Sequence, residues 1–225
     1  MKSTVNAWLS CKSQKEFELK IVERIVTYAA KAIKDKGSFS LVLAGGNTPA
    51  RIYEALTKIN CDWKNWHIYF GDERCLPVNH KERNSVMADE SFFSKIPIPK
   101  NQIYIIPAEL GEQEGAEVYN KKLNPEMVFD LVLLGLGEDG HMASIFPNSK
   151  LDYKKQVTPI TNAPKLPQNR VSLTPERLSK SNYVIFIVSG KSKKIALEKF
   201  KNSENIPATK VSALRDLSVV SFDTD

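Results

Sequence analysis

The chain has 225 residues, 42% of them hydrophobic and 26% charged, with a formal net charge of +6. That length can bury one or two ordinary cores, and no apolar run approaches the roughly 18 residues needed to cross a bilayer. The basic residues are interspersed with acids and dense only at Lys191-Ser192-Lys193-Lys194, so solvated surface lysines explain the charge better than nucleic acid does.

The first ten residues are too polar for a secretory leader. Cys11, Cys61 and Cys75 form no CxxC pair, so neither a zinc ribbon nor a redox motif is indicated, and a reducing cytoplasm is the expected compartment.

Residues 13–35 predict an amphipathic helix. Ser13 and Glu16 have capping-box spacing, Ile21, Val22, Ile25, Val26, Ala29, Ala32 and Ile33 recur at helical intervals, and Gly37 ends the run. Residues 38–44 predict a buried strand. Gly45-Gly46-Asn47 then turns into a helix, with Thr48 expected as N-cap and Pro49 in its first position.

The alternation continues. Strands are expected at 66–70, 102–106 and 129–134, with helices at 84–93 and 112–123. Residues 157–161 and 170–173 read as extended, 183–189 as a buried strand, 192–200 as a helix and 218–221 as a last strand. The Pro-rich stretch 158–167 reads as a loop. Strands separated by helix-length segments predict one α/β domain over 1–225, a Rossmann-like, mostly parallel sheet flanked by helices. Ligands of such sheets collect beyond the carboxyl ends of the strands.

Three segments share that placement. Gly45-Gly46-Asn47-Thr48 opens a helix, where glycine lets the backbone approach an anion and the free N–H groups and dipole attract one. A phosphate fits, and an ordinary tight turn fits equally well. Gly71-Asp72-Glu73-Arg74 puts three charges at a strand end; taken alone it reads as a solvated loop. Its functional reading gives Arg74 to an anionic oxygen and Asp72 to hydroxyl binding or proton management.

The third segment, Gly135-Leu136-Gly137-Glu138-Asp139-Gly140-His141, matches GxGxxG. No acid stands about 20 residues on at the end of a second strand (Asp152 lies in a polar stretch), and Pro147 cuts short any following helix, which argues against a dinucleotide. Asp139 and His141 would diverge on a helix but converge in a turn. Of the three histidines, His67 falls inside a strand and His80 in a polar loop, so His141 is the best-placed general base. Gly190-Lys191-Ser192 resembles the tail of a P-loop, but Ile185 replaces the required glycine. No GxSxG elbow supports an acyl-serine hydrolase. Arg170 and Lys193 are candidate phosphate clamps, although taken without context they read more readily as surface cations.

Taken in order, Ala44–Pro49, Gly71–Pro77, Arg83-Asn84, Leu134–Pro147, Arg170 with Ser172 and Thr174, and Gly190–Lys193 resemble the 6-phosphogluconolactonase family over roughly residues 40–195. Asn47 stands where that family more often has serine. The resemblance implies a fold like that of glucosamine-6-phosphate deaminases. It also implies hydrolysis of 6-phospho-D-glucono-1,5-lactone in the pentose phosphate pathway, with no cofactor and no metal. His141 would be the general base with Asp139 beside it. Gly45, Gly46, Asn47, Thr48, Arg170 and Lys193 would face the phosphate, and Asp72 and Arg74 the sugar ring and carbonyl. The expected partner is thus a small phosphorylated sugar lactone, not nucleic acid or a membrane. The nearest rival, a deaminase, resembles Asp-Gly-His followed shortly by an acid, and here Ser144-Ile145-Phe146-Pro147-Asn148 contains none. A non-catalytic sugar-phosphate sensor would normally add a DNA-binding element, and none is evident.

Overall fold

The structure is a computed structural model that describes residues 4–149, 151 and 155–224; Asp152, weighed above as a ribose-binding acid, lies outside them. Strand β1 (Ala7–Cys11) leads into helix α1 (Gln14–Lys36). Ser13 caps α1 by accepting from the Glu16 N–H, while the Glu16 carboxylate reaches back to the Lys12 N–H at 2.8 Å, a capping box displaced by one residue. Gly37, at φ 81°, closes the helix in the left-handed conformation that glycine adopts without a Cβ clash.

Then follow β2 (Phe39–Leu43), α2 (Asn47–Leu56), β3 (Trp66–Phe70), β4 (Asp72–Arg74), α3 (Asn84–Ser91), β5 (Ile103–Tyr104), α4 (Glu112–Lys122) and β6 (Phe129–Gly135). The second half supplies β7 (Val157–Ile160), β8 (Arg170–Leu173), α5 (Pro175–Ser179), β9 (Ser181–Ser189), α6 (Lys194–Lys201) and β10 (Asp216–Phe222). The main sheet has seven strands in the order β1-β10-β9-β6-β2-β3-β5, every adjacent pair parallel. A smaller antiparallel sheet, β4-β8-β7, stands beside it.

The parallel sheet follows from runs that are apolar on both faces. Every residue of β2 and all of Phe129–Leu134 in β6 are buried, as expected of strands covered on both sides. From β2 the chain steps outward to β3 and β5; from β6 it steps the other way, to β9 and β10. The topological switch point therefore lies between β2 and β6, and their carboxyl ends diverge there to leave a crevice.

Several expectations are corrected. Thr48 is not the N-cap of α2; Gly46 is, because the turn needs φ 107°, a backbone conformation that glycine adopts without strain, and Pro49 falls inside the first turn. The helix expected to end at Phe93 stops at Ser91, since Phe92 turns out of helical geometry to pack on Tyr53 and Trp63. Residues 191–193 form a 3-10 turn, so α6 starts at Lys194. The segment 72–74, read alone as a solvated loop, is instead strand β4, with Asp72 and Glu73 buried.

Removing the Ser13 hydroxyl orphans a first-turn N–H. Ser13→Ala should cost about 1 kcal/mol of unfolding free energy in urea titration, with an unchanged m-value.

Candidate functional site

Two buried tyrosines set the strand ends that carry the site. The Tyr53 hydroxyl, from α2, accepts from the Ala44 N–H at 3.0 Å and donates to the Ala44 carbonyl at 2.9 Å. Tyr119, from α4, accepts from Phe70 N–H at 3.2 Å and donates to Phe70 C=O at 3.4 Å. Burial raises both phenols above their ordinary range, so they remain hydrogen-bond donors. The turns after β2 and β3 thus start from fixed points.

Beyond those points lies a cavity of about 340 Å³ at the switch point. Its walls include Gly45, Gly46, Asn47 and Thr48 from the start of α2, Asp72 and Arg74 from β4, and Gly137 and His141 after β6. Arg170 and Lys193 complete it. Of the ten residues expected in the site, only Asp139 does not line the cavity itself; it touches His141 from behind.

The segment after β6 opens no helix. Gly140 N–H donates to Gly137 C=O at 3.0 Å, Gly137 N–H donates to His141 C=O at 2.8 Å, and a short bridge joins Met142 to Ile145. The dinucleotide fingerprint requires a helix there, so the GxGxxG match serves another end. In this turn Asp139 and His141 converge: Asp139 Oδ1 lies 2.5 Å from His141 Nδ1 and also accepts the His141 backbone N–H at 3.1 Å. An ionised carboxylate can only accept, so Nδ1 carries the ring proton and Nε2 keeps its lone pair. Burial pushes the His141 pKa below its ordinary 6.5, and the Asp139 carboxylate opposes that shift without reversing it. Burial alone would raise the Asp139 carboxyl, but the hydrogen bonds from His141 leave it lowered. At neutral pH the pair is therefore a neutral, oriented imidazole on a carboxylate. The Phe146 ring packs on the imidazole, centroids 4.6 Å apart.

Two glycines are explained by contact. A Cβ at Gly137 would lie 1.9 Å from His141 Nδ1, so the imidazole occupies the space a side chain would need. A Cβ at Gly45 would lie 2.0 Å from Asn84 Oδ1, so Gly45 makes room for the Asn84 amide. Asn84 in turn donates to Asp72 O at 2.9 Å and to Asp72 Oδ1 at 3.1 Å, and its own Oδ1 is buried without a partner.

Asp72 is held from the other side by the Ser144 hydroxyl, which donates to Oδ2. Glu73 points away from the cavity: its carboxylate accepts the N–H groups of Arg74, Asn84 and Ser85 at 2.7–2.8 Å and faces Arg83 Nε at 3.5 Å. This caps α3 with a buried acid, favourable at a helix N-terminus. Arg74 donates to the Glu82 carbonyl, and its Nε is buried without a partner. Arg74 and Arg170 lie directly opposite each other in the β4–β8 ladder. Like charges so placed are destabilising unless an anion joins them.

On the α2 side, Thr48 Oγ1 lies 3.3 Å from Ser189 Oγ. Lys193 is half-buried, 3.9 Å from Glu138, and burial lowers its pKa. Residues that sequence reasoning left out are Asn84, Ser144 and Lys165. Arg83-Asn84 was part of the motif, but nothing local marks the amide as a partner of Asp72. Lys165 sits in a loop with no distinguishing signal. Among the described residues no cluster of His, Cys, Asp and Glu is arranged to hold a metal, and no helix is long and apolar enough to cross a membrane.

A parallel α/β sheet with a half-buried histidine–carboxylate pair, and with a helix N-terminus and four cationic side chains around the cavity at its switch point, is the architecture of an enzyme suited to an anionic small molecule. The profile of the glucosamine-6-phosphate isomerases/6-phosphogluconolactonase family matches residues 12–219, and the chain belongs to that family. It is 34% identical over 191 residues to the 6-phosphogluconolactonase of Thermotoga maritima, covering 84% of this chain and 86% of the relative. It is 35% identical over 208 residues to the chloroplastic 6-phosphogluconolactonase 3 of Arabidopsis thaliana, covering 83% of this chain and 64% of that longer protein. The crystal structure of a Thermotoga maritima 6-phosphogluconolactonase superposes with a TM-score of 0.90 at 29% identity, over 96% of this chain and 99% of that one.

Because the imidazole and the Asn84 amide fill their glycine niches, Gly137→Ala and Gly45→Ala should each displace a cavity side chain. Both variants should retain the far-ultraviolet circular dichroism of the parent while losing at least about tenfold in turnover, since a misplacement near 1 Å costs that much or more.

Proposed function

We propose that this chain hydrolyses 6-phospho-D-glucono-1,5-lactone to 6-phosphogluconate, the lactonase step of the oxidative pentose phosphate pathway, with His141 as general base. The observation that carries this reading is the Asp139–His141 pair, poised with Nε2 free, in the same cavity as the N-terminus of α2. An unpaired helix N-terminus with a lysine beside it suits a phosphate; a neutral imidazole suits activation of water.

The phosphate binds at Gly45–Thr48 with Lys193, and its binding energy positions the lactone ring. Water then attacks C1 as His141 Nε2 takes its proton. Arg74, with a buried Nε lacking a partner, stabilises the oxyanion of the tetrahedral intermediate. As the intermediate collapses, the C1–ring-oxygen bond breaks and His141 Nε2–H returns its proton to the departing oxygen. Asp139 holds the ring orientation and offsets the transient imidazolium charge. Asp72, fixed by Asn84 and Ser144, accepts from a sugar hydroxyl. No covalent nucleophile is needed, and Ser144 is already committed to Asp72.

The position after the Asp-Gly-His segment supports lactonase over deaminase chemistry, because the buried group there is the Ser144 hydroxyl and not a second carboxylate. One continuous apolar core reaching from Cys11 to Val220 supports the reading of 1–225 as a single α/β unit. Three unpaired cysteines support a reducing compartment such as the cytoplasm.

A coupled assay with freshly generated lactone, corrected for spontaneous hydrolysis, tests the activity. Ammonia release from glucosamine 6-phosphate in its place would overturn it. His141→Asn should lower kcat by about 10²–10⁴-fold while product affinity, read by calorimetry, stays close to the parent's. The base works only when unprotonated, and burial depresses its pKa, so kcat/KM should stay level down to the ordinary histidine value of 6.5 and fall only below it. Asp139→Asn removes the charge that opposes the depression, and its acid limb should move to still lower pH.

A further inference from the structure

Just past His141 the chain makes one tight reversal. Met142 N–H donates to Ile145 C=O at 3.3 Å and Ile145 N–H donates to Met142 C=O at 2.9 Å, so Ala143 and Ser144 are the central residues of a β-turn. Ala143 has φ 46° and Ser144 is not among the residues with positive φ, the sign pattern of a type II′ turn, whose first central residue is normally glycine. An alanine in that position is strained, and such strain persists only where the surroundings over-determine it. They do so here. Met142 and Ile145 are buried in the core on either side, the Ser144 hydroxyl is held by Asp72, and the Ser144 N–H donates to Ser172 Oγ at 3.3 Å.

The turn leaves one donor over. The N–H groups of Met142, Ser144 and Ile145 all have partners, whereas that of Ala143 has none among the described residues. The hydrogen bonds that close a β-turn use its first and last residues, so the central N–H groups are left for partners outside it. Ala143 is half-buried in the wall of the catalytic cavity, two residues past the base and close enough to Gly71 that a Cβ there would meet its own at 4.0 Å. A backbone donor at a cavity wall with no protein partner is one that a ligand can engage. Arg74, meanwhile, is tied to the Glu82 carbonyl and its Nε is buried, so its charge acts on the cavity while a direct contact is left to another group.

We propose that the Ala143 N–H is the direct hydrogen-bond donor to the oxyanion formed at C1, held in place by the strained turn that follows the base. This rests on the lactonase reading of the same cavity. As the water oxygen bonds to C1, the carbonyl π pair moves onto the exocyclic oxygen, and Ala143 N–H hydrogen-bonds that oxygen without giving up its proton. On collapse the pair re-forms the C1 carbonyl, and the ring oxygen leaves with the electrons of its bond and takes the proton from His141 Nε2. A backbone dipole fixed beforehand needs no reorganisation when the charge appears. Because base and donor lie two residues apart on one anchored segment, their spacing does not depend on the closure of any loop.

The experiment replaces Ala143 with its α-hydroxy analogue, lactic acid, by suppression of a nonsense codon. That exchange turns one N–H into an ester oxygen and keeps the side chain. Losing one oxyanion donor costs about 10²–10³-fold in kcat. The ester variant should lose that much on 6-phosphogluconolactone, with KM and the calorimetric affinity for 6-phosphogluconate close to the parent's. The ester also weakens Met142 C=O as an acceptor, so near-ultraviolet circular dichroism checks that the fold is kept. A second measurement needs no substitution. In the parent labelled with nitrogen-15 alanine, the Ala143 amide proton should move downfield when a cyclic phosphonate analogue of the lactone binds, its charged P–O oxygen standing where the oxyanion forms. An unchanged kcat in the folded ester variant, equal losses in kcat and in product affinity, or an Ala143 amide that does not respond to the phosphonate would overturn the proposal. In those cases a parent that hydrolyses the lactone keeps the lactonase reading, and only the donor assignment falls. A parent that does not hydrolyse it removes both.

Discussion

An imidazole can draw a proton from water at neutral pH only if it is uncharged, and it can draw that proton in a useful direction only if its ring cannot turn. Burial meets the first condition, and the 2.5 Å contact between Asp139 Oδ1 and His141 Nδ1 meets the second. The carboxylate accepts a hydrogen bond from Nδ1–H and leaves Nε2 bare. The ring fits because Gly137 has no Cβ, and the turn that brings the two side chains together closes through Gly140 at φ 85°, where a Cβ would also strike Ile206 at 2.8 Å. Two residues apart in sequence, acid and base meet only because this stretch refuses to be a helix.

The surrounding field is divided in the same spirit. Arg74, Arg170, Lys165 and Lys193 give the cavity positive walls that attract an anionic ligand, while burial, and behind it the Lys165 charge, pushes His141 toward the neutral form. Asp139 resists that push, so that the imidazolium formed during turnover is not prohibitively costly. The acids near β4 are split by role. Glu73 is spent on the N-terminus of α3, and Asp72 is kept on the cavity side by the Asn84 amide and the Ser144 hydroxyl. Breaking a buried pair such as Glu73–Arg83 by removing one partner typically costs about 3–5 kcal/mol, which marks this corner as rigid support for the residues beside it.

The parallel sheet was legible because its strands are continuous apolar runs, and α1 because cap, period and terminal glycine all agree. What escaped were elements made by tertiary pairing. Strand β1 is an edge strand of five residues with alternating exposure, ordered by its register with β10 some two hundred residues away. Strand β4 is three charged residues with no strand propensity, and it exists because β8 pairs with it and Arg83, Asn84 and Ser85 absorb the charge of Glu73. Helix α5 carried a readable sign, Thr174 accepting from Arg177 N–H with Pro175 in the first turn, in a run too short for periodicity to register. The site divides likewise. His141 and the Gly-rich turn stood out through residue type and strand-end placement, whereas Asn84, Ser144 and Lys165 act through contacts that join distant segments, and no local pattern encodes those.

The most direct measurement is the nitrogen-15 resonance pair of the His141 ring, followed through a pH titration of the intact protein. Held by Asp139 in a buried cleft, the ring should be neutral at pH 7 with the proton on Nδ1 and a bare Nε2, and should titrate below the ordinary value of 6.5. An imidazolium at pH 7, or a neutral ring protonated on Nε2, would contradict a base poised to activate water.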